Sequence, residues 1–281
     1  MKLKLCSALL LCCAPLALAQ TAATPAAAPA AKPDVVAKVD DKAKVSNTIR
    51  IVLVSDSTVN HASGWGSGFC DDLVGHVECF NMSKNGRSSK SYIEEGWWQR
   101  ALDLKPTYML IHFAANDASK AAPAPGEPDR RTDPATTYRD YLRQYVKDAR
   151  AAGVKPILVT PMPLRNYDKT TGKFIHGFAD YAEAVRAVGA ETNTPVIDLN
   201  ARCDAYFDTL TQDQADELDH YYPTAPNIKD RTHMNAKGSE LIGGFVAEGL
   251  KTAVPELAKY VAIVGHPGDP VPAAAAPSAA K

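Results

Sequence analysis

Aromatic residues make up only 7% of the 281-residue chain, and neither sign of charge is in surplus. Lysine and arginine total 31 against 32 aspartate and glutamate, a net charge of −1. No summed basic field is available to hold a phosphate backbone, so nucleic acid is not an expected partner. Beyond the first residues no window offers the ~20 uninterrupted apolar positions that a membrane-spanning helix needs. Cysteine is scarce, six in all, and no CxxC spacing occurs, which argues against a structural zinc site. HExxH is missing, and no second histidine is spaced to complete a metal site, so neither a metal nor an organic cofactor is expected. GxSxG is missing too, which removes support for the nucleophile elbow of the α/β-hydrolases. What is present, 46% hydrophobic against 22% charged, suffices for one well-buried core.

Residues 1–19 combine Lys2 and Lys4, the apolar run SALLLCCAPLAL and a closing Ala17-Leu18-Ala19, the pattern of a cleavable export signal. A secreted or periplasmic protein is the expectation. Residues 20–45, dominated by Ala and Pro, read as a linker, and residues 265–281 as a disordered tail, because neither buries enough surface to offset its ordering entropy. Residues 46–264 remain as one domain. Outside the signal lie Cys70, Cys79 and Cys203. In an oxidising compartment these allow one pair, and short separation favours Cys70 with Cys79, leaving Cys203 free.

Within the domain, apolar runs at 48–54, 76–82, 107–113, 155–160 and 195–199 read as strands. The first, third and fourth are nearly continuous in apolar residues, as strands buried on both faces should be. Helical patterns fall near 65–74, 97–104, 135–152, 178–192 and 238–250. This alternation predicts an α/β fold, a parallel sheet covered by helices on both sides.

In such a sheet ligands sit beyond the carboxyl ends of the strands. The residues there are Ser55-Asp56-Ser57, Asn85-Gly86-Arg87-Ser88, Ala115-Asn116-Asp117 and Thr160-Pro161-Met162-Pro163. Taken singly, Ser57 reads as a helix N-cap, Gly86 as a turn glycine and Asn116 as a side chain capping its own loop. Taken together they put a hydroxyl, a closely approachable backbone N–H and an amide NH₂ after three successive strands, the groups that acyl transfer requires. A serine nucleophile also needs a base. Among seven histidines, His112 lies inside a strand pattern and His266 in the tail, whereas Asp230-Arg231-Thr232-His233 sets a carboxylate three residues before an imidazole. One turn of chain brings that carboxylate to Nδ1–H and leaves Nε2 free to accept a proton.

DST at 56–58, GWG at 64–66, NGRSSKSYIEEG at 85–96, AND at 115–117 and DRTHMNAKGSELI at 230–242 together resemble the SGNH (GDSL-like) hydrolases, and within them the rhamnogalacturonan acetylesterase group. The resemblance runs from about Ile49 to Leu250. It implies a three-layer sandwich around a five-stranded, flavodoxin-like parallel sheet. It also implies Ser57 as nucleophile, Asp230 and His233 as the other triad members, and the Ser57 N–H, Gly86 N–H and Asn116 as the oxyanion hole, without a cofactor. The implied activity is that of a secreted serine esterase removing acetyl groups from a plant cell-wall polysaccharide, such as pectin rhamnogalacturonan or xylan, or from its oligosaccharides. A lysophospholipase or thioesterase of the same superfamily and a non-catalytic carbohydrate-binding relative are the alternatives.

Two positions depart from the family pattern. Ser55 stands where Gly usually precedes the Asp-Ser, which a positive φ would disfavour. Ala114-Ala115 stands where Gly-His commonly precedes the Asn-Asp. Trp65, Tyr92, Trp97 and Trp98 lie close to the motifs and are candidates either for stacking on a sugar ring or for core packing.

Overall fold

Ile49–Val54 (β1), Val77–Asn81 (β2), Tyr108–Ile111 (β3), Lys155–Val159 (β4) and Val196–Ile197 (β5) form one parallel sheet in the spatial order β2-β1-β3-β4-β5. The computed structural model describes residues 48–120, 123 and 129–262. The export signal, the linker and the tail read from the sequence lie outside these residues.

The three interior strands are the ones with continuous apolar runs, and the alternation of side chains explains why. Ile51 and Leu53 enter one buried cluster, while Val52 and Val54 enter the other. The first cluster packs under Gly66–Asp71 (α1), Leu199–Phe207 (α6) and Ala236–Ala253 (α8). The second packs under Ser89–Glu94 (α2), Trp97–Leu102 (α3), Thr137–Ala151 (α4) and Ala179–Thr192 (α5). Each fully buried Val, Leu or Ile contributes roughly 1.5–3 kcal/mol, so a strand buried on both faces has no room for polar residues. By contrast β2, at the edge of the sheet, is only half-buried throughout.

Short elements escape the periodicity argument. Six-residue α2 begins at a capping box, in which Ser88 Oγ accepts the Ser91 N–H and Ser91 Oγ accepts the Ser88 N–H. The apolar run at 195–199 gives only two strand residues, because the Asp198 side chain accepts the Ala201 N–H and starts α6. Gln212–Asp216 (α7), an antiparallel pair of Asp219–His220 (β6) with Asp230–Met234 (β7), and a 3-10 helix over Pro255–Tyr260 complete the described chain. None of these was visible as a repeat in the sequence.

A Cys70–Cys79 disulfide ties α1 to β2, with Cys203 free and buried. Closing a loop between residues nine apart in sequence contributes ~2–3 kcal/mol by restricting the unfolded chain.

The chain steps outward from β1 to β2 and then crosses back to β3. The order therefore reverses at the β1–β3 junction, where a crevice opens beyond the carboxyl ends. Ser57 follows β1, and Asn116 follows β3.

Candidate active site

Directly after β1, Asp56 caps a 3-10 turn over Ser57–Val59, its Oδ1 accepting the Thr58 N–H at 2.8 Å and the Thr58 hydroxyl at 2.7 Å. Burial raises the Asp56 carboxyl above its ordinary range, against those two hydrogen bonds. Gly64 lies directly against the turn. A Cβ there would stand 2.4–2.5 Å from backbone atoms of Thr58, Val59 and Asn60, so the first glycine of GWG is required by close approach. The turn leaves Ser57 partly exposed, with its hydroxyl available.

The Asp230–His233 pair comes from β7, where the turn of chain expected from the spacing takes the form of a bulge. His220 pairs with Asp230 while Asp219 pairs with Met234, so one step on β6 faces four on β7, and residues 231–233 arch outward. The arch brings Asp230 Oδ2 to 2.8 Å from His233 Nδ1. Asp230 Oδ1 accepts the Thr232 and His233 amides at 3.1 and 3.0 Å. His233 Nε2 then stands 2.8 Å from Ser57 Oγ. Burial pushes the Asp230 carboxyl up, but the His233 amide, the Tyr222 hydroxyl and the His233 ring outweigh it and hold it down to about 2. An ionised carboxylate accepts Nδ1–H, so Nε2 carries the lone pair that faces the serine hydroxyl.

On the other side of Ser57, the Lys84 N–H donates to Ser55 O at 2.9 Å and Asn60 Nδ2 to Asn85 Oδ1 at 2.7 Å. These contacts hold the turn containing Gly86 against the loop containing Ser57. Gly86 has φ +76°, which a side chain would strain. Asn116 Nδ2 donates to Arg87 O at 3.1 Å, and its amide comes up against Asp56, the residue before Ser57. The structure thus brings Ser57, Gly86, Asn116, Asp230 and His233 to one place. Among the described residues there is no group of three or more His, Cys, Asp or Glu side chains arranged to hold a metal ion.

The rest of NGRSSKSYIEEG is scaffold. Arg87 pairs with Glu95 at 2.8 Å, Ser89 donates to the buried Asp117 carboxylate, and the Tyr92 hydroxyl donates to Met82 O at 2.6 Å. Burial pushes Asp117 up to about 7, against the hydrogen bonds from Ser89 and Thr132. Trp65, Tyr92 and Trp98 are at most 5% exposed. They pack the core and cannot stack on a sugar, which corrects that candidacy for three of the four aromatics. Trp97 is partly exposed, with Lys84 Nζ and Arg100 Cζ each 4.4 Å from its ring centroid.

Three supporting residues have no local sequence signal. Tyr222 donates to Asp230 Oδ2 at 2.5 Å, the oxygen that also faces His233. Arg165, fully buried, pairs with Asp219 at 2.9 Å and donates from Nη2 to the carbonyls of Asp230 and His233 at 3.1 and 2.5 Å, fixing the arch from beneath. His112 is locked with Ser55. Its Nε2 accepts the Met162 N–H at 3.2 Å, so Nδ1 carries the proton toward Ser55 Oγ at 3.1 Å, and burial holds the imidazole down to about 3. Ser55 Oγ in turn donates to His112 O at 2.5 Å.

That lock changes the reading of Ser55. Ser55 is absent from the positive-φ residues, and the strain falls instead on Ala114, with φ +149° and no exposure. Such a backbone costs of order 1–3 kcal/mol for an L-residue, comparable to the methyl burial and chain entropy that glycine would forgo. Ala114→Gly is therefore expected to leave the melting temperature nearly unchanged. Ala149→Gly, also fully buried but inside α4, is expected to lower stability by about 1–2 kcal/mol. Equal losses in thermal melts of the two variants would contradict a strained Ala114.

The chain also matches a known family. The profile of the GDSL-like Lipase/Acylhydrolase family matches residues 47–241. Probable rhamnogalacturonan acetylesterase YesY of Bacillus subtilis is 35% identical over 209 residues, covering 72% of this chain and 92% of the relative. Rhamnogalacturonan acetylesterase RhgT of the same organism is 29% identical, covering 72% and 90%. Among solved structures, the acetylxylan esterase Axe2 of Geobacillus stearothermophilus superposes with a TM-score of 0.55 at 16% identity, over 74% of this chain and 96% of the other, a likeness of fold. With its profile spanning most of the chain and its Ser57, Gly86, Asn116 and His233 gathered at the β1–β3 junction, this protein belongs to the GDSL-like lipase/acylhydrolase family.

Proposed function

We propose that this protein is an exported serine esterase that removes acetyl groups from acetylated plant cell-wall polysaccharide, rhamnogalacturonan or xylan, or from its oligosaccharides. The observation that carries the chemistry is the unbroken relay of 2.8 Å contacts from Ser57 Oγ through His233 to Asp230. The carbohydrate reading is supported by the two rhamnogalacturonan acetylesterases, which align with nearly three quarters of the chain. The Cys70–Cys79 bond supports export, since disulfides persist in oxidising compartments.

In the reaction, Ser57 Oγ attacks the acetyl carbonyl carbon while its proton passes to His233 Nε2. The carbonyl oxygen becomes an oxyanion held by the Ser57 N–H, the Gly86 N–H and Asn116 Nδ2. Collapse breaks the ester bond, and the sugar oxygen leaves with the proton from His233. Water then attacks the acetyl-serine, giving a proton to Nε2, and release of acetate returns that proton to Ser57. Asp230, ionised at working pH, stabilises the imidazolium in both halves.

Acyl-chain length tests the substrate class. An open cavity of about 250 Å³, lined by Tyr108, Lys155, Pro195 and others, lies at the amino ends of β3 and β4, the opposite end of the sheet from Ser57. On the acetylesterase reading the site takes a short acyl group, so a longer chain is expected to clash or stay exposed, forgoing ~0.8 kcal/mol per CH₂ that a lipid channel would recover. On p-nitrophenyl esters, kcat/KM is expected to be clearly higher for acetate than for butyrate, with octanoate poor. A flat or rising series would move the protein to the lipid-esterase class. Acetate release across acetylated pectins, xylans and mannans then identifies the polysaccharide.

A further inference from the structure

We propose that Arg130 is a positioning residue of the oxyanion hole, setting the orientation of the Asn116 amide and the Gly86 peptide; this rests on the esterase reading above. Arg130 Nη1 donates to Gly86 O at 2.9 Å and reaches Asn116 Oδ1 at 3.4 Å. One nitrogen therefore contacts two of the three residues assigned to the hole, through the Gly86 carbonyl and the Asn116 side-chain oxygen rather than through their donor N–H groups.

The chemistry of the guanidinium decides what this contact does. Arginine has five N–H donors and no acceptor, so Asn116 must present its oxygen to it. A flipped amide would set NH₂ against N–H. With Oδ1 facing Arg130, the NH₂ turns the other way, where one hydrogen goes to Arg87 O and the amide lies beside Asp56 and the nucleophile. A cationic donor on Oδ1 also polarises the amide and strengthens Nδ2–H as a donor. At Gly86 the guanidinium lies over the Cα, because a Cβ built there would be 3.2 Å from Nη1. The bond to Gly86 O fixes the plane of the peptide that follows Gly86, in a turn already committed to φ +76°.

Arg130 is itself well anchored. Two residues on, the Thr132 N–H donates to Asp117 O at 3.1 Å, Thr132 Oγ1 donates to Asp117 Oδ1 at 2.8 Å, and the Tyr181 hydroxyl donates to Thr132 O at 2.6 Å. Its segment is thus sewn to the residue after Asn116. The neighbouring Arg131 is occupied in an ion pair with Asp129 at 2.8 Å, whereas Arg130 bonds to two neutral oxygens.

The test is a double-variant cycle on p-nitrophenyl acetate, using Arg130→Met, Arg130→Lys, Asn116→Ala and the Arg130→Met/Asn116→Ala pair. Arg130→Met is expected to lower kcat by about 10- to 100-fold with KM within about twofold, and Arg130→Lys to recover part of the loss. In the Asn116→Ala background the same change is expected to cost at most about fivefold, since most of its effect has already been removed. Near-wild-type kcat in Arg130→Met, a rise in KM with kcat preserved, or fully additive losses would each overturn the proposal. Thermal melts of both Arg130 variants identify a loss of fold, and the lysine variant then carries the test. Ser57→Ala run in parallel separates the two levels. If it remains active the esterase site itself is misassigned, whereas an inactive Ser57→Ala beside a fully active Arg130→Met refutes only the role of Arg130.

Discussion

Ser57→Ala and His233→Ala are each expected to lower kcat on acetyl esters by on the order of 10⁴ or more while leaving the fold intact. The size follows from the geometry. Ser57 Oγ has the imidazole at 2.8 Å as its proton acceptor, and the imidazole has an ionised carboxylate at 2.8 Å behind it. Neither end of that relay works without the other, so the Ser57→Ala/His233→Ala pair should lose hardly more than either single variant. Fold is preserved because the turn at Ser57 is capped by Asp56 rather than by the serine hydroxyl, and because the arch at His233 is held through its backbone by Asp230 and Arg165. Turnover measured with p-nitrophenyl acetate, beside thermal melts, checks both halves. Retention of a tenth of wild-type kcat by either variant would end the triad assignment.

What could be read from the sequence depended on how far apart the interacting groups lie. Interior strands announce themselves locally, since Ile51 to Val54 must be apolar on both faces. The Asp230–His233 contact is likewise local, three residues apart, although its form, a β-bulge, depends on pairing with β6 and is not written in the spacing. Partners far apart in sequence carry no such signature. Arg165 reaches His233 across 68 residues and Ser55 reaches His112 across 57, and nothing in either neighbourhood marks the pair. Backbone strain was just as hidden. Ser55 looked like the costly departure from glycine, whereas the positive φ belongs to Ala114. The aromatics near the motifs misled for a related reason, because the α3 pattern contains Trp97 and Trp98 alike, and only packing against α4 shows that Trp98 faces inward.

Asn116→Ala should lower kcat by about 10² to 10³ with little change in KM, the loss of one donor to a charge that exists only in the transition state. The ground-state ester carbonyl is a weak acceptor, so the side chain contributes little to substrate binding and much to the oxyanion. Asp117, one residue on, belongs to a different economy of contacts. Its buried carboxylate accepts from the Ser89 N–H, the Ser89 hydroxyl and the Thr132 hydroxyl, which join the start of α2 to the loop carrying Asn116 and Arg130. Asp117→Ala leaves those donors buried without an acceptor, at roughly 1–3 kcal/mol each, and is expected to lower the melting temperature before it touches the chemistry. The adjacent positions should therefore separate cleanly, Asn116→Ala in kcat at unchanged stability and Asp117→Ala in stability. Steady-state kinetics with thermal melts on both variants read the difference. If Asn116→Ala raises KM while kcat holds, Asn116 is a substrate contact, and the oxyanion would have to be carried by the Ser57 and Gly86 amides alone.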